Sequence, residues 1–332
     1  MTYEPPYVIT PEILARVEEI GEAIGRAEEM AAWQDLRLRR INRIRSIQGS
    51  LAIEGNALTE GEITTLLEGR PVAAPPRDIQ EARNAIRAYD ELPGWNPATE
   101  AHLLRAHEAM MRALLDAPGV YRQGQVAVVG DGEVRHVGPP APRVPRLMRD
   151  LLGWLSGTDA HPLIASSVFH YEFEYIHPFE DGNGRIGRLW QTLILSRWNP
   201  LFLHIPVESL VHARQMDYYA AIQRSTDEGA STPFIVFMLD VVLAALRTPQ
   251  ETPQETPQVL RLLAVVNGEM SASEILQALG LRDRKSLRQR YLLPALQHGH
   301  LEMTRPDTPR ARNQRYRLTD RGRAARGTGR TT

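Results

Sequence analysis

The sequence predicts a mainly α protein: a helical body carrying one β-hairpin, followed by a small C-terminal winged helix-turn-helix domain. Three observations predict it. Apolar residues recur at helical spacing through most of the chain up to residue 247. A tandem Thr-Pro-Gln-Glu repeat, Thr248 to Gln258, then breaks the pattern with prolines that favour an extended spacer over a helix. The charge also changes sign there: from Val259 onward 15 Lys and Arg stand against 6 Asp and Glu, a balance of +9, while the preceding part carries −10. The expected organisation is an N-terminal helical region (1–97), a core (98–247), the linker (248–258) and a basic domain (259–332).

Each element follows from local pattern. Helical spacing runs through Ile13 to Ile24, Leu36 to Ile47, Ile79 to Tyr89, His102 to Leu115, Val144 to Leu155, Leu189 to Trp198 and Phe234 to Leu246. Between Gly119 and Pro140, two β-prone runs, Val126 to Val129 and Glu133 to Val137, flank Gly130-Asp131-Gly132 and predict a hairpin. Beyond the linker, Val259 to Val266 reads as a helix, Ser271 to Glu274 as the capped start of a second, and Asp283 to His298 as a third. Leu301 to Thr304 and Gln314 to Thr319 then form the two strands of a wing across 306–313.

Composition narrows the chemistry. With 332 residues, 42% hydrophobic and 24% charged, the chain can bury a substantial core and exceeds one ordinary domain. It has no cysteine, which rules out disulfides, thiolate metal sites and thiol catalysis. Met1 to Thr10 lacks a signal-like pattern, and no apolar run approaches the ~20 residues that cross a bilayer. The expectation is a cytoplasmic protein without membrane contact.

The chemistry concentrates in twelve residues, His177 to Arg188, which read His-Pro-Phe-Glu-Asp-Gly-Asn-Gly-Arg-Ile-Gly-Arg. Glycines just before a helix free backbone N–H groups to point at an anion, so Gly182-Asn183-Gly184 reads as a phosphate cradle. Arg185 and Arg188 lie three apart, on one side of the following helix, suited to the outer phosphates. Asp181 supplies a hard oxygen for a Mg²⁺ that arrives with a triphosphate. His177 has the pKa to take a proton from an attacking hydroxyl, and Pro178 stiffens its turn. A transferase of nucleotide or phosphate groups is expected.

These residues match every fixed position of the Fic family signature, which the segment closely resembles. The resemblance implies a Fic-type helical core that binds ATP with Mg²⁺ and transfers AMP to a Ser, Thr or Tyr hydroxyl of a protein. On it, His177 is the general base and Asp181 holds the metal. The Gly182-Asn183-Gly184 backbone and the Asn183 side chain hold the α- and β-phosphates, and Arg185 and Arg188 hold β and γ. In the Doc-type branch, which phosphorylates its target, a lysine stands where this chain has Gly184, so adenylyl transfer is favoured. The hairpin matches the family's flap, in which Val126, Ala127 and Val128 would pair with a target strand. The family also places tyrosines near the adenine, here Tyr218 and Tyr219.

Upstream, Ser50 and Glu54 are four apart on one helix face, with Gly55 suited to end that helix. This pattern resembles the inhibitory helix of Fic proteins, here about 46–56. It implies that Glu54 pairs with Arg188 and denies it to the γ-phosphate, and it leaves self-modification and reverse removal of AMP open. The basic tail of 259–332 either binds DNA or serves dimerisation and target docking. The alternative function is an ATP-sensing DNA-binding regulator.

Overall fold

The computed structural model describes residues 3–29, 36–130, 133–247, 257–281, 283–297, 299–305 and 314–328. It divides into two units, Met1–Gln250 and Glu251–Thr332.

The first unit contains α1 (Pro11–Glu29), α2 (Leu36–Ile53), α3 (Glu60–Leu67), α4 (Pro76–Glu91) and α5 (Glu100–Met111), then the hairpin strands β1 (Ala127–Gly130) and β2 (Glu133–Val137). It continues with α6 (Val144–Gly157), α7 (Pro162–Ile176), α8 (Asn183–Trp198), α9 (Val207–Ala213), α10 (Gln215–Glu228) and α11 (Thr232–Arg247). Local chemistry sets the starts: Thr59 and Glu62 make a reciprocal capping box on α3, and proline stands in the first turn of α4, α6 and α7.

At the centre α7 packs along α8, and both are buried nearly all round, with 12 of 15 and 12 of 16 residues out of solvent. A helix covered on every side has no apolar stripe, so helical spacing did not reveal α7. α3 and α9 were not anticipated either; at 8 and 7 residues they are too short for a strong period. The helix expected to reach Leu115 ends at Met111, because Arg112 turns to φ −56°, ψ 128° and Ala113 takes φ +59°.

The stretch expected to be inhibitory, about 46–56, begins in α2 and runs into the turn after it; α2 packs against α9. Gly49 permits the approach: a Cβ there would come within 2.6 Å of the Ser209 backbone nitrogen. The hairpin is antiparallel, pairing Ala127 with Val137 and Val128 with His136, with a bulge after Val128. Val126 stands outside β1, and the expected turn at Asp131-Gly132 falls outside the described residues.

The second unit contains α12 (Pro257–Val265), β3 (Met270–Ser271), α13 (Ala272–Ala278), α14 (Arg284–Leu287), α15 (Leu293–Gln297), β4 (Leu301–Met303), β5 (Arg315–Leu318) and α16 (Asp320–Thr328). A π-helical turn, Arg288–Leu292, joins α14 to α15. The three-stranded sheet has the order β3-β5-β4. Val259, Leu262, Ile275, Leu287, Tyr291, Ala295, Leu301 and Leu318 form its own core. This is the helix-turn-helix and wing anticipated, with β3 and α16 added; α12 begins at Pro257, inside the expected linker 248–258, and residues 248–256 and the wing tip at 306–313 lie outside the described residues.

Candidate active site

The last turn of α7 delivers His177. Its N–H donates to Phe173 O at 2.9 Å, and its backbone is left-handed at φ +48°, ψ +63°, a strained conformation for a non-glycine residue. Arg122 holds this turn in place. Only 5% exposed, it donates Nε to His177 O at 2.7 Å and NH2 to Pro139 O at 2.6 Å, while NH1 reaches Gly124 O at 2.8 Å. One buried guanidinium therefore ties the histidine turn to both flanks of the hairpin.

His177 Nδ1 lies 3.3 Å from Glu174 O, a contact that a protonated Nδ1 makes, leaving Nε2 as the acceptor. Burial lowers the His177 pKa to about 4, so the imidazole is neutral at physiological pH. The hairpin stands beside it: His136 Nε2 is 2.7 Å from Tyr175 O, and its ring packs 4.7 Å from that of Tyr175.

The loop after His177 is built from inside. Asn183 Oδ1 accepts from Phe179 N and Asn183 Nδ2 donates to Phe179 O, both at 2.9 Å. Both the oxygen and the nitrogen of the amide are thus engaged within the loop. Gly182 caps α8 at φ +84°, where a Cβ would strike Met111 Sδ at 2.6 Å. His107 stacks on Phe179 at 3.7 Å, accepts from Gly119 N at 2.8 Å and lies 3.0 Å from Asp181 O. Burial lowers its pKa to about 4 as well, so this histidine supports the loop as a neutral ring.

Helix α8 begins at Asn183, so Asn183 and Gly184, expected just ahead of the helix, sit inside its first turn with Arg185. Arg185 is 3% exposed and already held by acids: NH2 is 2.9 Å from Asp181 Oδ1 and NH1 3.4 Å from Glu81 Oε1 on α4. Asp181 also accepts from Gly182 N at 2.5 Å, and its Oδ2 lies 3.5 Å from Arg77 NH2. Among the described residues no cluster of three metal-ligating side chains exists. A lone carboxylate, 38% exposed at its side chain, fits a magnesium ion that brings phosphate oxygens and water as its other ligands.

Arg188 meets the end of α2. Its NH2 donates to Glu54 Oε1 at 2.7 Å and to Ser50 O at 3.0 Å, and its Nε donates to Ser50 Oγ at 3.2 Å. Glu54 lies in the turn after α2, and Gly55 closes that turn at φ +88°. A Cβ at Gly184 would lie 2.5 Å from Glu54 Oε1, so the carboxylate occupies the mouth of the glycine cradle. Asn56 then fastens the turn to α4, donating to Asp78 O at 3.2 Å and Glu81 Oε2 at 2.9 Å.

The tyrosine pair divides. Tyr218 is 1% exposed, with its hydroxyl 3.0 Å from His170 Nε2, and packs against Phe234 and Phe237, so it belongs to the core and not to an adenine site. Tyr219 is 37% exposed and remains available. Spacing gave no signal for Arg122, His107 or Glu81, which meet partners at the site from distant segments, nor for Glu174, which lies close to the motif but outside it.

Comparison with known proteins matches this arrangement. Residues 97–195 match the Fic/DOC family, and residues 257–319 match the C-terminal domain of filamentation induced by cAMP protein Fic-like. The solved structure of a Fic family protein from Desulfovibrio desulfuricans G20 is 50% identical, covers 96% of this chain and 99% of its own, and superposes with a TM-score of 0.74. The chain belongs to the Fic family. Fic-1 (residues 134–508) from C. elegans shares the fold at 21% identity and a TM-score of 0.57, covering 71% of this chain and 69% of its own. The protein adenylyltransferase Fic of Drosophila virilis is 27% identical over 247 residues, 69% of this chain. The Drosophila grimshawi relative is 27% identical over 245 residues, also 69% of this chain. The chain spans about 45% of the length of these relatives. Among the described residues no helix of this Fic protein is long and apolar enough to cross a membrane.

Proposed function

We propose that this Fic protein transfers AMP from ATP to a Ser, Thr or Tyr hydroxyl of a protein, and that Glu54 holds the resting enzyme off. The observation that carries the reading is one buried constellation, with a neutral His177, a glycine cradle at the N-terminus of α8, and Arg188 occupied by Glu54 at 2.7 Å. The resemblance to Drosophila adenylyltransferases supports the same chemistry.

In this scheme the target hydroxyl oxygen bonds to the α-phosphorus, the bond from that phosphorus to the bridging oxygen of the β-phosphate breaks, and pyrophosphate leaves. His177 Nε2 takes the hydroxyl proton as the bond forms. Backbone N–H groups of 182–184 and the dipole of α8 offset the developing charge. Magnesium bound with ATP would supply further charge compensation, held by Asp181. Arg185 and Arg188 receive the outer phosphates only after their carboxylate partners yield. Gly184, which offers no ammonium group to the phosphates, favours adenylyl over phosphoryl transfer. The target enters as an added strand on the hairpin at Val126 to Val128, next to His177. Tyr219 borders the base, and the protein's own hydroxyls are eligible targets. Water attacking the phosphorus of an AMP-modified target, with the bond to the Ser, Thr or Tyr oxygen breaking and that oxygen taking a proton, would give the reverse removal of AMP.

Mass spectrometry after incubation with ATP, magnesium and a cell extract tests the reading. An adenylyl group added to Ser, Thr or Tyr supports it, and phosphoryl groups alone refute it.

A second role fits the second unit, which we propose presents a DNA-binding face. Its acids are largely engaged: Arg315 lies 3.5 Å from Glu274, Arg317 lies 3.4 Å from Glu269 and pairs with Glu302, and Arg323 pairs with Asp320. Asp283 caps α14 through Lys285 N and Ser286 N. Lys285, Arg288 and Arg290 are exposed and have no ion-pair partner among the described residues. That leaves a positive surface, countered in part by Asp283 beside Lys285 and Arg290, on the second helix of a helix-turn-helix, the element that enters a major groove. A duplex affinity that falls steeply with salt and with Arg288→Ala supports this role, and salt-insensitive or absent binding refutes it.

A further inference from the structure

Glu174 lies in the last turn of α7, with its side chain 11% exposed. Its Oε2 is 3.9 Å from His177 Nδ1 and its Oε1 is 3.8 Å from His170 Nε2, yet Oε1 is buried with no hydrogen-bond partner. Gly187 makes room for it: a Cβ there would come within 2.7 Å of Oε1. Buried carboxyl oxygens are ordinarily hydrogen-bonded, and an orphan that persists beside a general base is a cost with a functional address.

We propose that Glu174 is a positioning residue for the transfer reaction: its carboxyl backs His177 and becomes the internal counter-charge for the imidazolium once Glu54 has left Arg188. The proposal rests on the adenylyl-transfer reading of the site.

The groups that face Glu174 are His170 on its own helix, His177 in the loop, Arg188 on α8, Tyr218 on α10 and Glu54 beyond α2. In the resting state burial lifts its pKa to about 8, Arg188 opposes that rise, and Glu54 adds to it as a like charge. Glu174 is therefore largely neutral while Glu54 is seated. Departure of Glu54 removes the repulsion and leaves Arg188 favouring the carboxylate. A carboxylate facing His177 Nδ1–H keeps the proton on Nδ1, leaves Nε2 free to accept, and stabilises the cation formed when Nε2 takes the hydroxyl proton. The inhibitory glutamate thus acts at two points, on the phosphate-binding arginine and on the strength of the base.

The test compares Glu54→Gly with Glu54→Gly/Glu174→Gln and Glu54→Gly/Glu174→Asp. The second protein is expected to lose roughly tenfold in kcat with the KM for ATP nearly unchanged, and its acid limb should move down by about one pH unit, because a weaker base titrates lower. The aspartate variant should recover part of both. An unchanged kcat and acid limb, or a raised KM with a fixed acid limb, overturns the proposal. Titration of the His177 ring by NMR in the nucleotide-free proteins reads the same coupling without turnover. A His177 pKa that falls on Glu174→Gln upholds it, and one that stays overturns it. Absence of transfer by Glu54→Gly would instead count against the adenylyl-transfer reading, with the NMR titration still deciding the role of Glu174.

Discussion

Gly49 of α2 and Ser209 of α9 approach so closely that a single added methyl at Gly49 would lie 2.6 Å from the Ser209 backbone nitrogen. This contact seats the helix that carries Ser50 and leads into the turn with Glu54. Backbone cannot rotate away as a flexible side chain can, so the position of Glu54 over Arg188 depends on a glycine five residues upstream.

Gly49→Ala should therefore lower stability by about 1–3 kcal/mol through overpacking and displace α2 together with the turn that carries Glu54. Chemical unfolding and adenylyl transfer, measured on the same preparation, check this: stability is expected to fall while transfer rises several-fold. Lower stability with unchanged transfer would show that α2 shifts without releasing Arg188.

Arg122→Ala should cost at least about 2 kcal/mol, since several carbonyls, that of Ile176 buried and the others partly so, lose their shared donor. Transfer should fall much further than ATP binding, because the strap holds His177 and not the phosphate cradle. Binding calorimetry beside an initial-rate assay separates the two. Equal losses in binding and rate would place Arg122 in the general scaffold.

Acid should unfold the protein early. Burial lowers the pKa of His107, His177 and His204 to about 4 and of His170 to about 3, from 6.5. Between those values the unfolded chain binds protons that the folded chain refuses, so stability is lost as pH falls from 6.5 toward 4. Glu174 works in the opposite sense, because its folded pKa of about 8 lies above 4.5 and the folded state binds the extra proton. The histidines outnumber it, and urea unfolding should show a loss of at least about 2 kcal/mol between pH 7 and pH 5. A flat profile would mean that these rings reach solvent.

Much of the active site was legible because it is contiguous. The stretch from His177 to Arg188 names its chemistry by residue type and order, and the Ser50–Glu54 spacing marked the partner that the fold brings to Arg188. What local pattern missed was non-local. Arg122 is 55 positions from the carbonyl of His177 that it holds, and nothing near it in sequence marks it as buried. Asn183 reads as a phosphate ligand by type, but its partner Phe179 is set by the path of the loop. Tyr218 resembles a base-stacking residue, whereas the packing of α10 on α11 turns it into the core. Helix α7 escaped notice because burial on all sides removes the period that betrays a surface helix.

The most direct test uses ATP labelled at either the α- or the γ-phosphate, with magnesium, a cell extract, and the wild type, Glu54→Gly and His177→Ala proteins. The account predicts strong α-label on protein with Glu54→Gly, weak label with wild type, and a loss of about a hundredfold or more with His177→Ala. Transfer of γ-label alone, or an ATP-binding Glu54→Gly protein that labels nothing including itself, would contradict it.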